Sequence, residues 1–313
     1  MEKVVTFTLN PAIDKSSSVE HVIPESKLYC DKPLYEPGGG GINVSRAIKK
    51  LGGKSLLMYI SGGLSGKRLT NLLQKEELNI QPIHIEKPVR ENLIIMENAT
   101  NLQYRFGMPG PEIKETEIKN IFKTIKNINQ FPKYFVISGS IPQGVSPDIY
   151  AAMAKIAKEK GAKVVVDVSG EPLKEVMKEG VFLIKPNMGE FQELVGRELK
   201  EEEEIKKEAY KLVNDNCCQN VVISLGAGGA LMVNQETARF MRPPTVPIKS
   251  KVGAGDSMVA GIVLSLARGK DFQEAVLYGL AAGSSAVMTP GTELCRKEDT
   301  DKLYEKMYQE IFV

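Results

Sequence analysis

The stretch VGAGDSMVAG, residues 252–261, places one carboxylate, Asp256, behind two glycines and ahead of an apolar run of small residues. Asp is a favoured N-cap, so Asp256 could simply begin a helix. The same arrangement also suits catalysis. Glycines expose backbone N–H groups at a helix N-terminus to an anion, and a neighbouring carboxylate can accept a proton.

Two further glycine clusters, PGGGGIN (37–43) and SLGAGGALM (224–232), are candidate ligand loops. Each of the three clusters follows a strand-like segment, where glycines let a ligand approach the backbone, although a plain turn explains any one of them. GGLSGKR (62–68) departs from the P-loop pattern at Ser61 and Arg68, and no cluster fits G-x-G-x-x-G. A P-loop ATPase and a dinucleotide oxidoreductase are therefore disfavoured.

Two polar motifs elsewhere could complete such a site. Asp14 ends the stretch TLNPAID, and KPNMGE (185–190) directly follows an apolar segment. Asn187 and Glu190 are three residues apart, so in a first helical turn they share a face, where an amide and a carboxylate can hold hydrated Mg²⁺ against phosphates. A capping pair at a helix N-terminus explains the same spacing nearly as well.

Strand-like and helical segments alternate through most of the chain, which predicts an α/β fold with a mostly parallel sheet covered by helices on both faces. Ligands bind such sheets at the carboxyl ends of the strands, where the glycine clusters are expected. The predicted helices include 42–51, 148–161 and 258–269, and the predicted core strands are 4–9, 55–60, 134–139, 163–168, 181–186 and 220–225.

Two segments, 16–36 and 92–109, break this alternation. Polar and apolar residues alternate in both, and the second contains the turn-like ENATN, so both are predicted to form antiparallel hairpins. Together they could form a small sheet that stands off the main body. Its second face would need a cover, which a bound substrate or a partner subunit could supply.

The composition is that of an ordinary soluble globular protein, with 313 residues, 42% hydrophobic and 26% charged. A net charge of +2 without an aromatic and basic patch disfavours nucleic-acid binding. The four cysteines, Cys30, Cys217, Cys218 and Cys295, show neither metal-site spacing nor a disulfide framework. No signal peptide or membrane span is predicted, so we expect a cytoplasmic protein without a membrane partner.

Three motifs carry a family resemblance. GGGGIN, KPNMGE and VGAGDSMVAG, in this order and at these distances, strongly resemble those of the ribokinase-like, or PfkB, family of carbohydrate kinases, over essentially the whole chain. The resemblance implies a Rossmann-like α/β body and a small β lid that also joins two copies into a homodimer. The body would comprise residues 1–14, 38–89 and 110–313, and the lid residues 15–37 and 90–109.

Asp256 matches the catalytic base of this family, which takes the proton of the sugar hydroxyl as that oxygen attacks the γ-phosphoryl group of ATP. The backbone N–H groups of Gly253, Ala254, Gly255 and Asp256 match the family's anion hole. Phosphoryl transfer depends mostly on positioning and charge stabilisation, so a helix N-terminus aimed at the transferring group can replace a P-loop lysine. The resemblance thus implies that Asp256 is the base and that capping is secondary.

The resemblance also implies the binding residues. The matching ATP contacts are Lys185, Asn187, Ser224, Gly226, Gly228, Gly229, Ala281 and Ser284, and Glu190 would organise Mg²⁺ through water. The sugar hydroxyls would meet Asp14, Gly39, Gly40 and Asn43, and the sugar phosphate would meet Lys27, Arg90, Arg105 and Ser140. A monovalent cation, K⁺, would bind at Ser250, Val252, Ala286 and Gly291, largely through carbonyls.

Within the family, TLNPAID, YRFGMPG and SKVGAGDSMVAG are similar to kinases of phosphorylated sugars. The implied reaction is ATP-dependent phosphorylation of C1 of fructose 6-phosphate, which gives fructose 1,6-bisphosphate and ADP. Tagatose 6-phosphate and fructose 1-phosphate are the alternative acceptors, although Gly40 lacks the lysine common where fructose 1-phosphate is used. Glu293 stands where a basic residue is expected in the cation loop. The rival functions are a non-catalytic sugar-phosphate sensor and, more distantly, a dehydrogenase.

Overall fold

The computed structural model describes residues 3–312. Within that range the strands form one nine-stranded and one four-stranded sheet. The strands are β1 (Val4–Thr8), β2 (Ala12–Val19), β3 (Leu34–Gly38), β4 (Leu56–Ser61), β5 (Asn79–His84), β6 (Arg90–Glu97), β7 (Leu102–Phe106), β8 (Tyr134–Ser138), β9 (Lys163–Asp167), β10 (Val181–Ile184), β11 (Cys218–Ser224), β12 (Ala230–Val233) and β13 (Ala238–Met241).

The large sheet follows the order β13-β12-β11-β10-β9-β8-β1-β4-β5. Its pairs from β11 to β5 are parallel, whereas β11–β12 and β12–β13 are antiparallel. All six predicted core strands are present, so the predicted α/β class is confirmed. Strands β5, β12 and β13 were not predicted from the sequence. Strand β5 contains Pro82 and lies at the sheet edge, where the missing N–H is tolerated, and β12 and β13 are only four residues long.

Helices cover both faces of this sheet. They are α1 (Gly40–Lys50), α2 (Gly63–Lys75), α3 (Glu115–Lys126), α4 (Ile149–Glu159), α5 (Glu171–Met177), α6 (Met188–Val195), α7 (Glu202–Asn214), α8 (Ala254–Ala267), α9 (Phe272–Val287) and α10 (Lys297–Phe312). Among residues 3–312, no helix combines the length and apolarity needed to cross a membrane.

Each face of the large sheet has its own apolar core, because successive strand residues point to opposite faces. On one face Phe7 packs in a cluster with Tyr150 of α4. On the other, Val165 of β9 packs with Val44 of α1 and Val263 of α8. Burial on both faces explains why the central strands read as continuous apolar runs.

Helix α8 begins at Ala254, four residues before the predicted start at 258. Its N-cap, Gly253, has a positive φ of 73°, a conformation that favours glycine. The third glycine cluster does not directly follow a strand as expected, because β13 ends at Met241 and irregular backbone leads to the helix. Helix α8 is buried against α9, and the two cross at Gly261, where an added Cβ would lie 2.8 Å from the Cα of Gly279.

The second sheet has the strand order β3-β2-β6-β7. Both predicted antiparallel pairs, β2–β3 and β6–β7, are present, and the two pairs join through a parallel β2–β6 contact that the sequence did not indicate. Strand β2 begins at Ala12, so Asp14 lies within this sheet rather than just before it. Apolar side chains near this sheet remain exposed, among them Tyr29, Leu34 and Leu102.

Candidate active site

The polar residues singled out from sequence gather at the carboxyl ends of the central parallel strands. Ser140 follows β8, Lys185 and Asn187 follow β10, and Ser224 ends β11, while Asn10, which was not predicted from the sequence, follows β1 at the same edge. The N-termini of α1 and α8 lie at the same edge, because a hydrogen bond joins Asn43 of α1 to Asp256 of α8. This is the edge at which open α/β sheets bind ligands.

Asp256 is the third residue of α8 and accepts a hydrogen bond of 2.9 Å from Nδ2 of Asn43. The N-cap is Gly253, and no side chain caps this helix end. The interpretation of Asp256 as an N-cap is therefore wrong. Its carboxylate is held between two helix N-termini instead, since Gly39 is the N-cap of α1.

Burial, and to a lesser degree the negative charge of Asp167, raise the pKa of Asp256 to about 7, although the Asn43 hydrogen bond and the Lys185 ammonium oppose the shift. Loss of hydration disfavours the ionised carboxylate, and a nearby like charge adds to that effect. A carboxylate with a pKa near 7 is well matched to accepting a proton at neutral pH.

Asp167 is a site residue that the sequence analysis missed. It ends β9, and its Oδ1 lies 3.2 Å from Nζ of the buried Lys185. A Cβ added to Gly255 would lie 3.5 Å from the same Nζ, so the ammonium group lies beside the first turn of α8. The available signal was a carboxylate at the end of the apolar run KVVVD, the position where strand ends carry ligand contacts.

The N-terminus of α1 lies against the ends of β1 and β8. Gly39 has a φ of 120°, and a Cβ added to Gly40 would lie only 2.2 Å from Oγ of Ser138 and 2.8 Å from the backbone nitrogen of Gly139. No side chain fits at residue 40 without backbone movement. The structure therefore explains why this position is glycine.

Buried polar atoms without a hydrogen-bond partner concentrate at this edge. Among residues 3–312, eight buried side-chain polar atoms lack one, and five of them belong to Thr8, Asn10, Asn43, Arg90 and Ser138. Such groups are rare in native interiors, because a buried polar group left without a partner costs about 1–3 kcal/mol. Their concentration fits a ligand rich in hydroxyl groups.

Asn187 and Glu190 form a reciprocal capping box at the N-terminus of α6. Oδ1 of Asn187 accepts from the Glu190 N–H at 2.9 Å, and Oε2 of Glu190 accepts from the Asn187 N–H at 2.8 Å. Among residues 3–312, no cluster of three or more His, Cys, Asp or Glu could hold a metal alone. One free carboxylate oxygen fits Mg²⁺, which usually keeps waters and adds substrate phosphates to one or two carboxylates.

The remaining predicted ATP residues are placed by β11 and α9. Ser224 donates its N–H to the carbonyl of Pro186 at 2.9 Å, which joins β11 to the KPN segment. Residues 226–228 form a 3₁₀ turn, and Gly229 leaves it with a φ of 93°. Ala281 and Ser284 are buried on α9, whose Gly283 approaches the first turn of α8.

The four predicted cation-site residues also lie together. Ser250 donates its hydroxyl to the carbonyl of Gly291 at 3.0 Å and accepts from the Val252 N–H at 3.2 Å, and its backbone bonds to the residue after Ala286. The hydroxyl of nearby Thr292 is buried without a partner. Carbonyls and a free hydroxyl fit a monovalent cation. Glu293, the departure from the expected pattern, forms an exposed ion pair with Arg296.

The residues predicted to bind the sugar phosphate differ in how far they are buried. Arg90 is half-buried and donates to the backbone carbonyls of Met108 and Asn10 at 3.2 and 3.1 Å, while Ser140 accepts from Nδ2 of Asn10 at 3.1 Å. Desolvation lowers the pKa of Arg90, and Asp14 opposes that change. Lys27 and Arg105, by contrast, are exposed on the second sheet and its connecting loop.

A model of the pfkB family of carbohydrate kinases matches residues 2–299. This chain belongs to the PfkB family of carbohydrate kinases. As a member of that family it is a phosphotransferase, which excludes the dehydrogenase interpretation. The three motifs that suggested the family lie at one edge of one sheet, as the resemblance requires.

Individual relatives agree with this assignment. The kinase is 39% identical over 305 residues to the ATP-dependent 6-phosphofructokinase isozyme 2 of Escherichia coli, covering 97% of this chain and 98% of that one. It is 29% identical over 301 residues to the 1-phosphofructokinase of Borreliella burgdorferi, covering 96% of each. Similarity is therefore greater to a 6-phosphofructokinase than to this 1-phosphofructokinase.

Solved structures of the Escherichia coli phosphofructokinase-2 share the ribokinase-like fold of the kinase. The complex with potassium has a TM-score of 0.94 at 39% identity, and the complex with fructose-6-phosphate has 0.92 at 38%; both cover 98% of this chain and 99% of that one. A tetrameric inhibited form has a TM-score of 0.93 at 38% identity, with the same coverage.

Proposed function

We propose that this kinase is an ATP-dependent 6-phosphofructokinase that phosphorylates C1 of fructose 6-phosphate. The observation that carries the proposal is the position of Asp256, a carboxylate with a pKa near 7 in the first turn of α8, held by Asn43 and close to Lys185. Similarity to the Escherichia coli 6-phosphofructokinase over nearly the full chain supports the choice of acceptor.

In the proposed reaction, Asp256 accepts the proton of the C1 hydroxyl. The C1 oxygen forms a bond to the γ-phosphorus of ATP, the bond from that phosphorus to the bridging oxygen breaks, and ADP leaves with the electron pair. The N–H groups of residues 253–256 and the positive end of the α8 dipole stabilise the negative charge on the transferring group. Lys185 neutralises charge beside them.

The nucleotide and cation roles follow the family pattern. Lys185, Asn187, Ser224, Gly226, Gly228, Gly229, Ala281 and Ser284 contact ATP, and Glu190 holds Mg²⁺ through water. When bound, Mg²⁺ neutralises and orients the phosphate oxygens. Ser250, Val252, Ala286 and Gly291 hold a monovalent cation, a role supported by the potassium complex of the Escherichia coli enzyme.

The sugar lies between the two sheets in this proposal. Asp14, Gly39, Gly40 and Asn43 meet its hydroxyls, and Lys27, Arg90, Arg105 and Ser140 meet its 6-phosphate. For Asp256 to reach the C1 hydroxyl, the phosphate must lie at the far end of the sugar, toward the second sheet. Arginine pairs well with a phosphate dianion because its planar fork can donate two hydrogen bonds at once.

We also propose the division into an α/β body (1–14, 38–89 and 110–313) and a β lid (15–37 and 90–109) that pairs two copies into a homodimer, with residues 12–14 leading from the body into the lid as the first residues of β2. Exposed apolar side chains on the second sheet and its connecting loop support it, because a second copy of the chain would cover them. Sedimentation velocity should give twice the mass of one chain. A tetramer, as in the inhibited form of the Escherichia coli enzyme, would add a second interface, and a monomer would refute the proposal.

An ATP-coupled assay tests the substrate. Across fructose, fructose 1-phosphate, fructose 6-phosphate and tagatose 6-phosphate, we expect the highest kcat/KM with fructose 6-phosphate, tagatose 6-phosphate second and fructose very low. A preference for fructose 1-phosphate would overturn the acceptor but leave the kinase assignment intact. Binding of sugar phosphates without ATP turnover would identify the non-catalytic sensor.

A further inference from the structure

The carboxylate of Asp14 is held by a neighbouring strand. Asp14 on β2 and Asn92 on β6 are paired in the parallel register of the second sheet. Nδ2 of Asn92 donates to Oδ1 of Asp14 at 2.8 Å. No other residue in 3–312 donates a hydrogen bond to this carboxylate, so Oδ2 is left to accept from a ligand.

The other end of the Asn92 amide holds the chain that leaves β7. Its Oδ1 accepts from the Met108 N–H at 3.1 Å, and Arg90 donates to the Met108 carbonyl at 3.2 Å. Only one orientation of the amide satisfies both contacts, because Asp14 requires a donor and the Met108 N–H requires an acceptor. The rotation of the Asn92 amide is therefore fixed.

Gly38 closes the opposite side of the Asp14 carboxylate. A Cβ added to Gly38 would lie 2.5 Å from Oδ2 and 3.1 Å from Oδ1. The Asp14 carboxylate thus lies between Asn92 on β6 and Gly38 on β3, where any side chain at residue 38 would displace it. An acceptor oxygen fixed in one direction distinguishes the two configurations of a nearby hydroxyl, because only one of them points a donor at it.

We propose that Asn92 is a positioning residue that fixes Asp14 and thereby sets the preference of the kinase between acceptors that differ in one hydroxyl configuration, such as fructose 6-phosphate and its C4 epimer tagatose 6-phosphate. The inference rests on the proposed function, since Asp14 must face the sugar. Asn92 need not touch the substrate. It acts through Asp14 and, through Met108, keeps the chain beyond β7 in register with that carboxylate.

Two substitutions separate the two contacts of Asn92. Asn92→Ala removes both, whereas Asn92→Asp keeps an acceptor for the Met108 N–H and replaces the donor that faces Asp14 with a second carboxylate. The matched control is Glu91→Gln, because Glu91 is exposed and the alternation of strand residues points it to the other face of the sheet.

The measurement is kcat and KM for both sugar phosphates and for MgATP, with Tm as a check on folding. For Asn92→Ala we expect kcat/KM for fructose 6-phosphate to fall about tenfold, mainly through KM, since a hydrogen bond to a charged group has about that value. The fall for tagatose 6-phosphate should be several-fold smaller. Asn92→Asp should change the ratio of kcat/KM for fructose 6-phosphate to kcat/KM for tagatose 6-phosphate at least as much. Glu91→Gln should leave the kinetic constants for both sugars unchanged.

Equal losses for both sugars, or wild-type behaviour of Asn92→Asp, would overturn the positioning role and leave only a structural contact to Met108. If the wild-type chain phosphorylates neither sugar, the proposed function fails instead. In that case calorimetric titration of the same variants with the two sugar phosphates measures whether the affinity ratio changes, and an unchanged ratio again overturns the inference.

Discussion

The two ends of the proposed sugar site are built differently. The inner end consists of Asp256, Asn43 and Lys185, which lie among buried residues. A hydrogen bond joins Asn43 to Asp256, and an ion pair joins Lys185 to Asp167. At the outer end, Lys27 and Arg105 are exposed, and the Lys27 ammonium lies 5.1 Å from the centroid of the exposed Tyr29 ring. A hydrogen bond to a charged group contributes about 1.5–3 kcal/mol to stability, whereas an exposed ion pair contributes about 0–1 kcal/mol.

This difference assigns separate tasks to the two ends. The inner end is preorganised before any ligand binds, as charge stabilisation of a transition state requires. Under the proposed function, we expect the outer end to gain its order from the phosphate or from a second copy of the chain. Changes at the inner end should therefore act on kcat, and changes at the outer end on KM for the sugar phosphate.

The largest expected effect comes from Asp256→Asn, which preserves shape but removes the base. We expect kcat to fall by roughly two to four orders of magnitude, with KM for both substrates nearly unchanged. Steady-state kinetics measures both constants. If the variant keeps more than about a tenth of the wild-type kcat, Asp256 is not the base. The proposed difference between the two ends would then be wrong as well.

The second-largest effect is expected in the dependence of kcat/KM on pH. Because the pKa of Asp256 is raised to about 7 and the ionised form is the base, kcat/KM should fall about tenfold per pH unit below that value. The phosphate of the acceptor titrates nearby, with a second pKa of about 6, so a control is needed. Asp167→Asn should move the midpoint to lower pH, because the charge of Asp167 raises the pKa of Asp256. A midpoint that stays in place would assign the titration to the substrate.

At the outer end, Arg105→Ala should raise KM for fructose 6-phosphate by roughly tenfold or more while kcat changes little, since one charged hydrogen-bond donor to phosphate is lost. Lys27→Ala should act in the same way. Lys32→Ala, an exposed lysine in the same connecting loop, is the matched control. A large loss of kcat in Arg105→Ala would show that the outer end takes part in the transfer step itself.

The sequence predicted the inner end better than its supporting contacts. The central strands and the glycine-led helix starts were readable because buried strands and glycine clusters have local patterns. Asp167 was missed because its importance depends on Lys185, a residue that follows a different strand, β10. Asn92 was missed for the same reason, since its contacts come from the parallel β2–β6 pairing. No local pattern reports which distant strands will pair.

A smaller effect is expected at Glu190. Gln is also compatible with a capping box, so Glu190→Gln should preserve the start of α6 and leave Tm unchanged. If the carboxylate holds Mg²⁺ through water, the Mg²⁺ concentration for half-maximal rate should rise several-fold, with the sugar KM intact. A Mg²⁺ titration of the variant measures this. A curve identical to that of the wild type would leave Glu190 with the capping role alone and would remove metal binding from the inner end.

The smallest expected effect is on stability, and it tests whether the inner end is strained. The folded pKa of Asp256 is about 7, above the unfolded value of 3.8, so the native state binds the proton more tightly. The tighter proton binding stabilises the folded state fully below about pH 4. This stabilisation is lost progressively as the pH rises to about 7, where the carboxylate must ionise while buried. Asp256→Asn should therefore raise Tm by a few degrees at pH 8 and by less at pH 5. Thermal unfolding at the two pH values measures the difference, with the exposed Asp148→Asn as control. Equal Tm values for Asp256→Asn and wild type at pH 8 would mean that Asp256 is hydrated in the free kinase and that the inner end carries no more strain than the outer one.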